Sequence, residues 1–466
     1  MHKTALAAAC AALLLSACAS TSSSKPAASA TEGSKKVAAL TADAYPSTYR
    51  PIPSAPVLLA GATVLDGLGK RLENADVLMA EGKIVAVGNG ISAPENVIRV
   101  DARGKWVTPG IIDVHSHLGV YPSPAASAHS DGNEMTAPVT AQVWAEHSIW
   151  PQDPGFATAL AGGVTSLQIL PGSANLIGGR GVTLKNVYST SYQGMKFPGA
   201  PWGLKMACGE NPKRVYGNKG GPSTRMGNIA GFRAAFIEAA EYLKKQEAGK
   251  DSGKRDLKQE TLAATLNGDI LVHNHCYRAD EMAIMLDLAK EFGFRISAFH
   301  HGVEAYKLAD RLAAEGVCAA LWADWWGFKM ESFDGIQENL LLVDRAPGGC
   351  AIVHSDSGEG IQRLNQEAAK IIANGRRIGI DITPEHAIRW LTSNAAKSMG
   401  IDHLTGSLEP GKMADVVLWN GNPFSSYALA EQVYIDGARL YDRADVRLQP
   451  QSDFLLGQEL MQGDAR

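Results

Sequence analysis

The stretch "VTPGIIDVHSHLGV" spans residues 107–120, and its reading decides the rest. An apolar run of strand type ends on Asp113, His115 and His117. Side chains at i and i+2 of a strand share a face, so these three point one way, with Asp113 deepest. Two imidazoles buried together without partners are costly. A metal ion relieves that cost, because neutral imidazole is a common ligand of Zn2+. An isolated pair of this kind also occurs in ordinary cores, so the other histidines have to decide.

They repeat the pattern. His273 and His275 end "ILVHNH", His300 and His301 end "RISAFHH", and His354 stands beside Asp356 in "CAIVHSD". Each group closes an apolar run and precedes a helix. In "RADEMAIMLDLAKEFG" Met282, Met285, Leu286, Ala289 and Phe292 form one apolar face, and Gly293 stands where a helix stops. "TPEHAIRWLTSNAAKSMG" reads as a helix with Thr383 as N-cap, Pro384 in its first turn and Gly400 past its end. Repeated strand–helix units of this length predict a parallel sheet. Four strand ends bearing imidazole or carboxylate meet at one mouth if that sheet closes into a (β/α)8 TIM barrel over residues 109–404. As neighbours on a strand, His300 and His301 are expected on opposite faces, only one reaching the mouth. His273 is expected below His275, and His354 beside the pocket.

The flanks differ. "PVLLAGATVLDG" and "ADVLMAEGKIVAVG" alternate apolar and polar residues between turn signals, and "MADVVLWNGNPF" and "QVYIDGARLYD" do so near the other end. Residues 51–108 and 405–449 are therefore expected to form a small β-sandwich domain, leaving 450–466 as a tail.

The first residues, "MHKTALAAACAALLLSACAS", read as an export signal: Lys3 precedes an apolar stretch too short to span a bilayer. "LSAC" at 15–18 is similar to a bacterial lipobox, which implies cleavage before Cys18 and its lipidation. Residues 19–50 are expected to be a disordered tether. The protein is then a lipoprotein held at the membrane in the bacterial periplasm or cell envelope. Cys208, Cys276, Cys318 and Cys350 lack CxxC spacing and sit in apolar segments, so buried thiols are expected rather than disulfides. A net charge of −4 argues against nucleic acid as the partner. The oligomeric state is not legible.

"PGIIDVHSHLG" resembles the first-strand signature of the amidohydrolase superfamily. "HCYRADEM", "HHGVEAYKLAD" and "HSDSGEGIQRLNQEAAK" resemble its imidazolonepropionase-like and prolidase-like branch, and "GSLEPGKMADVVLW" resembles the return into its β-sandwich. The resemblance runs from about residue 55 to 440. It implies metal ligation by His115 and His117 on the first strand, His275 on the fifth, His301 on the sixth and Asp356 on the eighth. Many relatives add a carboxylated lysine or a glutamate on the fourth strand. "WGLKMACGENPKRVYG" offers Lys205 and Glu210; Lys205 is favoured because it lies inside the strand, with Lys185 a weaker candidate. The implied cofactor is one or two divalent ions, with Zn2+ the default for such ligands.

The implied chemistry is hydrolysis of a C–N bond in an amide, cyclic amide or dipeptide. The metal generates hydroxide from water, and Asp356 shuttles the proton to the leaving nitrogen. A metal-dependent deaminase and a non-catalytic ligand- or metal-binding lipoprotein are the alternatives. Substrate contacts are expected from Asn175 and Arg180 in the glycine-rich "GSANLIGGRG", from Arg214 and Tyr216, and from Tyr277, with residues 128–136 as cover and the aromatic "LWADWWGFK" as a wall.

Overall fold

The computed structural model describes residues 43–450 apart from 124, 250–253 and 326. Cys18, the expected export signal and most of the tether lie outside the described residues. The early strands are β1 (Val57–Leu65), β2 (Arg71–Ala80), β3 (Lys83–Gly88), β4 (Ile98–Asp101) and β5 (Trp106–Pro109). The central ones are β6 (Ile111–Ser116), β7 (Val164–Ile169), β8 (Ile177–Lys185), β9 (Trp202–Ala207), β10 (Ile270–Cys276), β11 (Ile296–His301), β12 (Cys318–Leu321) and β13 (Ala351–Val353). The last are β14 (Val416–Trp419), β15 (Ala430–Ile435) and β16 (Ala438–Asp442).

Both ends of the chain build one sheet, ordered β16-β15-β14-β5-β1-β2-β3 with β4 also beside β1. The seam is antiparallel, Val417 opposite Thr108. Alternating residues such as Leu59, Val64, Val77 and Leu418 form its core. Where a sandwich was expected, the ladders run as a single continuous sheet of eight strands.

The second sheet follows chain order from β6 to β13. Just past β13, Ser355 N–H donates to Asp113 Oδ1 (3.1 Å) and Asp356 N–H to the His115 carbonyl (3.0 Å), which brings the last strand against the first. The expectation of a wholly parallel sheet is corrected: β8 runs antiparallel to both β7 and β9. Only residues 170–176 separate β7 from β8. A parallel crossover needs about a dozen residues or more, whereas a reversal does not. The glycine-rich stretch is thus strand from Ile177 onward. A Cβ on Gly179 (φ +116°) would lie 2.3 Å from the Val143 carbonyl oxygen, so glycine lets residues 139–144 pack against β8.

The helix Ala279–Phe292 ends as expected, with Gly293 left-handed at φ 80°. The helix expected from Thr383 is interrupted: Pro384–Ala387 and Ser393–Ser398 are separated by a 3-10 turn and by Thr392 at φ −134°, ψ −90°. The cysteines are also corrected. Cys208 bonds Cys276, and Cys318 bonds Cys350, each pair joining neighbouring strands. Spacing in the chain conceals such pairs because adjacency here is lateral.

Lys185 is not near the imidazoles. It is fully buried, with Nζ 2.7 Å from Asp436 Oδ2 and 3.2 Å from Asp415 Oδ1, and the Tyr49 hydroxyl donates to Asp436 (2.5 Å). This network ties β8 to the terminal sheet. Lys185→Met strands two buried carboxylates, and removing one partner of a buried pair costs about 3–5 kcal/mol. Urea denaturation measures it; a loss under about 1 kcal/mol would show that the network relaxes.

Candidate metal centre

The strand ends of the second sheet converge. His117 Nε2 lies 3.1 Å, and His115 Nε2 3.5 Å, from Asp356 Oδ1; His301 Nε2 is 3.8 Å from Asp356 Oδ2. His354 Nε2 lies 3.0 Å from His301 Nδ1. The potential donor atoms of His115, His117 and Asp356 all fall within 4.8 Å of one another, as do those of His115, His301 and His354. His275 belongs to neither group, but its ring centroid is 4.6 Å from that of His301. Beneath them Asp113 accepts from Ser355 Oγ (2.5 Å) and from the backbone N–H of Ser355 and His115. Burial pushes its carboxyl up to about 7. Asp113 is the peg that holds the first strand to the last.

Two residues of this cluster leave ordinary strand geometry. His301 has φ 75° and Asp356 φ 51°, the left-handed region that costs a non-glycine residue about 1 kcal/mol or more. At His301 this twist defeats the alternation rule. His300 and His301 both reach inward, their ring centroids each 4.8 Å from that of His115. The expectation of opposite faces is corrected, although of the two only His301 lies against Asp356. His300 Nδ1 sits 2.9 Å from His115 Nδ1, and its Nε2 2.9 Å from His273 Nδ1. A hydrogen bond at His115 Nδ1 leaves its Nε2 aimed at the mouth.

Burial keeps these rings neutral. It lowers His115, His275, His300 and His301 well below the usual imidazole value, His273 to about 3 and His354 to about 4. Burial alone would raise Asp356, but the His117 hydrogen bond and charge, with Lys205, hold its carboxyl below the usual range. A histidine depressed in the folded state adds stability above its unfolded value that is lost as pH falls. Metal-free protein should therefore weaken below about pH 6.5, each such histidine contributing up to about 1.4 kcal/mol per pH unit until its folded value is reached. Urea midpoints unchanged from about pH 7 to pH 5 would contradict this.

Lys205 lies inside the cluster. Its Nζ is 3.3 Å from His115 Nε2 and donates to the Pro171 carbonyl (2.9 Å); burial lowers it to about 8. Glu210 is elsewhere, opening the helix Glu210–Tyr216 and facing Lys329 at 3.7 Å. Among the described residues no hydrogen bond or ion pair joins Glu210 to an imidazole. The donor set suits a divalent cation: neutral imidazoles, an ionised carboxylate, and a buried His275 Nδ1 with no hydrogen-bond partner.

Several expected substrate contacts serve the scaffold instead. The Asn175 amide donates to the Glu134 and Ala137 carbonyls (2.7 and 2.9 Å) and to the Tyr216 hydroxyl (2.8 Å), so Asn175 and Tyr216 pin the segment after the first strand. Arg180 is buried, bonded to Thr261 Oγ1 (2.8 Å), its guanidinium 4.3 Å from the Trp144 ring centroid. Tyr277 does reach the centre, stacked on His301 at 5.4 Å. Arg214 is exposed at the rim. The sequence reading missed Ser355, and it did not single out Trp322, which stacks on His301 (4.5 Å) and His354 (4.9 Å) and donates from Nε1 to the Ser355 carbonyl (3.1 Å). The aromatic run "LWADWW" after a strand was the available signal.

The model of the Amidohydrolase family matches residues 350–444. An amidohydrolase structure from Thermotoga maritima is 37% identical, with a TM-score of 0.76, over 83% of this chain and 100% of its own. The chain belongs to the amidohydrolase family. Amidohydrolase tasK of Hapsidospora irregularis is 33% identical over 416 residues, 82% of this chain but 42% of tasK. The chain thus spans less than half of that relative's length. An imidazolonepropionase of Shewanella frigidimarina is 24% identical over 390 residues, 77% of this amidohydrolase and 89% of its own length. Members of the family act on C–N bonds, as hydrolases and deaminases.

Proposed function

We propose that this amidohydrolase is a metal-dependent hydrolase of amide C–N bonds, with His115, His117, His275, His301 and Asp356 as ligands and Lys205, carboxylated, as a further one. The observation that carries the reading is a single carboxylate, Asp356, within 3.1–3.8 Å of three imidazoles from two other strands. A divalent cation, Zn2+ by the chemistry of these donors, supplies Lewis-acid charge that acidifies water and polarises a carbonyl. Asp356 takes a proton from the attacking water at a carboxylate oxygen and returns it to the leaving nitrogen. Tyr277 and Trp322 wall the imidazoles and limit access of bulk water.

Assay of metal-loaded protein against cyclic amides, N-acyl amino acids and dipeptides tests the reading. Release of an amine or amino acid supports it. Ammonia from an amino-substituted heterocycle would indicate a deaminase, and stoichiometric metal with no turnover would indicate a binding protein. We further propose export and lipid anchoring at Cys18. The two disulfides support an oxidising compartment. Among the described residues no helix is long and apolar enough to cross a membrane. Incorporation of labelled fatty acid, lost in Cys18→Ser, tests the anchor.

A further inference from the structure

Two cations stand at the rim beside His275 without a full-strength counterion. Lys329, on the loop after β12, holds its Nζ 3.9 Å from the Tyr277 ring centroid and 3.5 Å from Asn211 Oδ1. Arg214 Nη2 lies 3.5 Å from the same Asn211 oxygen. Asn211 Nδ2 in turn is 3.5 Å from His275 Nε2, so both cations are one side chain away from the centre.

The surrounding acids are already engaged. Arg225 holds Glu281 (2.9 Å) and Glu331 (2.5 Å). Lys329 keeps only long contacts, 3.7 Å to Glu210 and 3.8 Å to Glu331. Arg214 makes no ion pair among the described residues. Arg225 thus takes two of the three neighbouring carboxylates at short range, leaving Lys329 its long contacts and Arg214 no ion pair among the described residues. Lys329 is also mostly buried, its side chain 16% exposed. An ammonium ion withdrawn from water with its donors half-used is set to receive an anion.

We infer that Lys329 and Arg214 form a clamp for the free carboxylate of the substrate, which makes that substrate an N-acyl amino acid or a peptide with a free C-terminus. This rests on the C–N hydrolase reading and narrows it. A substrate placing its amide at the imidazoles extends its carboxylate past Tyr277 toward the clamp. Neutral cyclic amides and nucleobases carry no group for it.

The test compares N-acetyl-L-amino acids with the matching N-acetyl-L-amino acid amides, on the full chain and on Lys329→Met, Lys329→Arg and Arg214→Gln. Wild type should favour the acids by about 10- to 100-fold in kcat/KM, chiefly through KM, as a charge-assisted contact allows. The ratio should collapse in Lys329→Met, fall in Arg214→Gln and survive in Lys329→Arg. An unchanged ratio in both neutral variants, or no preference in wild type, overturns the clamp. Calorimetric binding of the same compounds reads the preference without turnover. Acid-selective binding that Lys329→Met abolishes upholds the clamp even if no amide is cut, a result that would sink the hydrolase reading alone. Equal binding of acid and amide by wild type overturns the clamp whatever the turnover.

Discussion

Asp356→Asn should lower kcat on an amide substrate by about 100- to 10,000-fold, the range for loss of a positioned acid–base group. The substitution keeps the shape and an acceptor oxygen but cannot take a proton. Among the described residues Asp356 is the one carboxylate that contacts the rings of His115, His117 and His301. Its left-handed backbone at φ 51° holds that carboxylate in the ring of imidazoles. Because the asparagine still offers an oxygen, metal should be retained in part, so the loss falls on turnover more than on occupancy. Steady-state kinetics with metal analysis of the same samples measures both. A variant with more than about a tenth of wild-type kcat would remove Asp356 from proton transfer.

His115→Ala with His117→Ala should abolish metal retention and turnover together. Losing a group that merely orients a ligand weakens metal binding by about 10- to 100-fold, and losing two ligands should exceed that. His115 occupies both potential donor groups at the centre, so no other single histidine substitutes for it. Chelator competition measures the affinity, and circular dichroism checks the fold. Turnover surviving in the folded double variant would place the chemistry elsewhere.

The centre was legible because strand periodicity carries direction. A two-residue spacing placed His115 and His117 together, and the same logic gathered His275, His354 and Asp356. It failed where the backbone departs from strand geometry. At His301 a positive φ turns the ring inward, so His300 and His301 both face His115. Residue identity does not announce that twist. The reversal of β8 was available in the short link 170–176, but the four glycines of residues 172–181 suggested a loop. Lys185 shows the limit of composition: a buried lysine on a strand suits a bridging ligand and an ion-pair network equally, and only Asp415 and Asp436, far along the chain, decide between them. The disulfides and the Arg180–Trp144 stack are lateral contacts of the same kind.

The central claim is that distant imidazoles surround a shared cation at one barrel mouth. Crystals of protein purified without chelator, measured at the absorption edge of the metal found by elemental analysis, test it most directly. The account predicts an anomalous peak enclosed by His115, His117, His301 and Asp356. A peak bound elsewhere, or fully active crystals with no peak among those side chains, would contradict it.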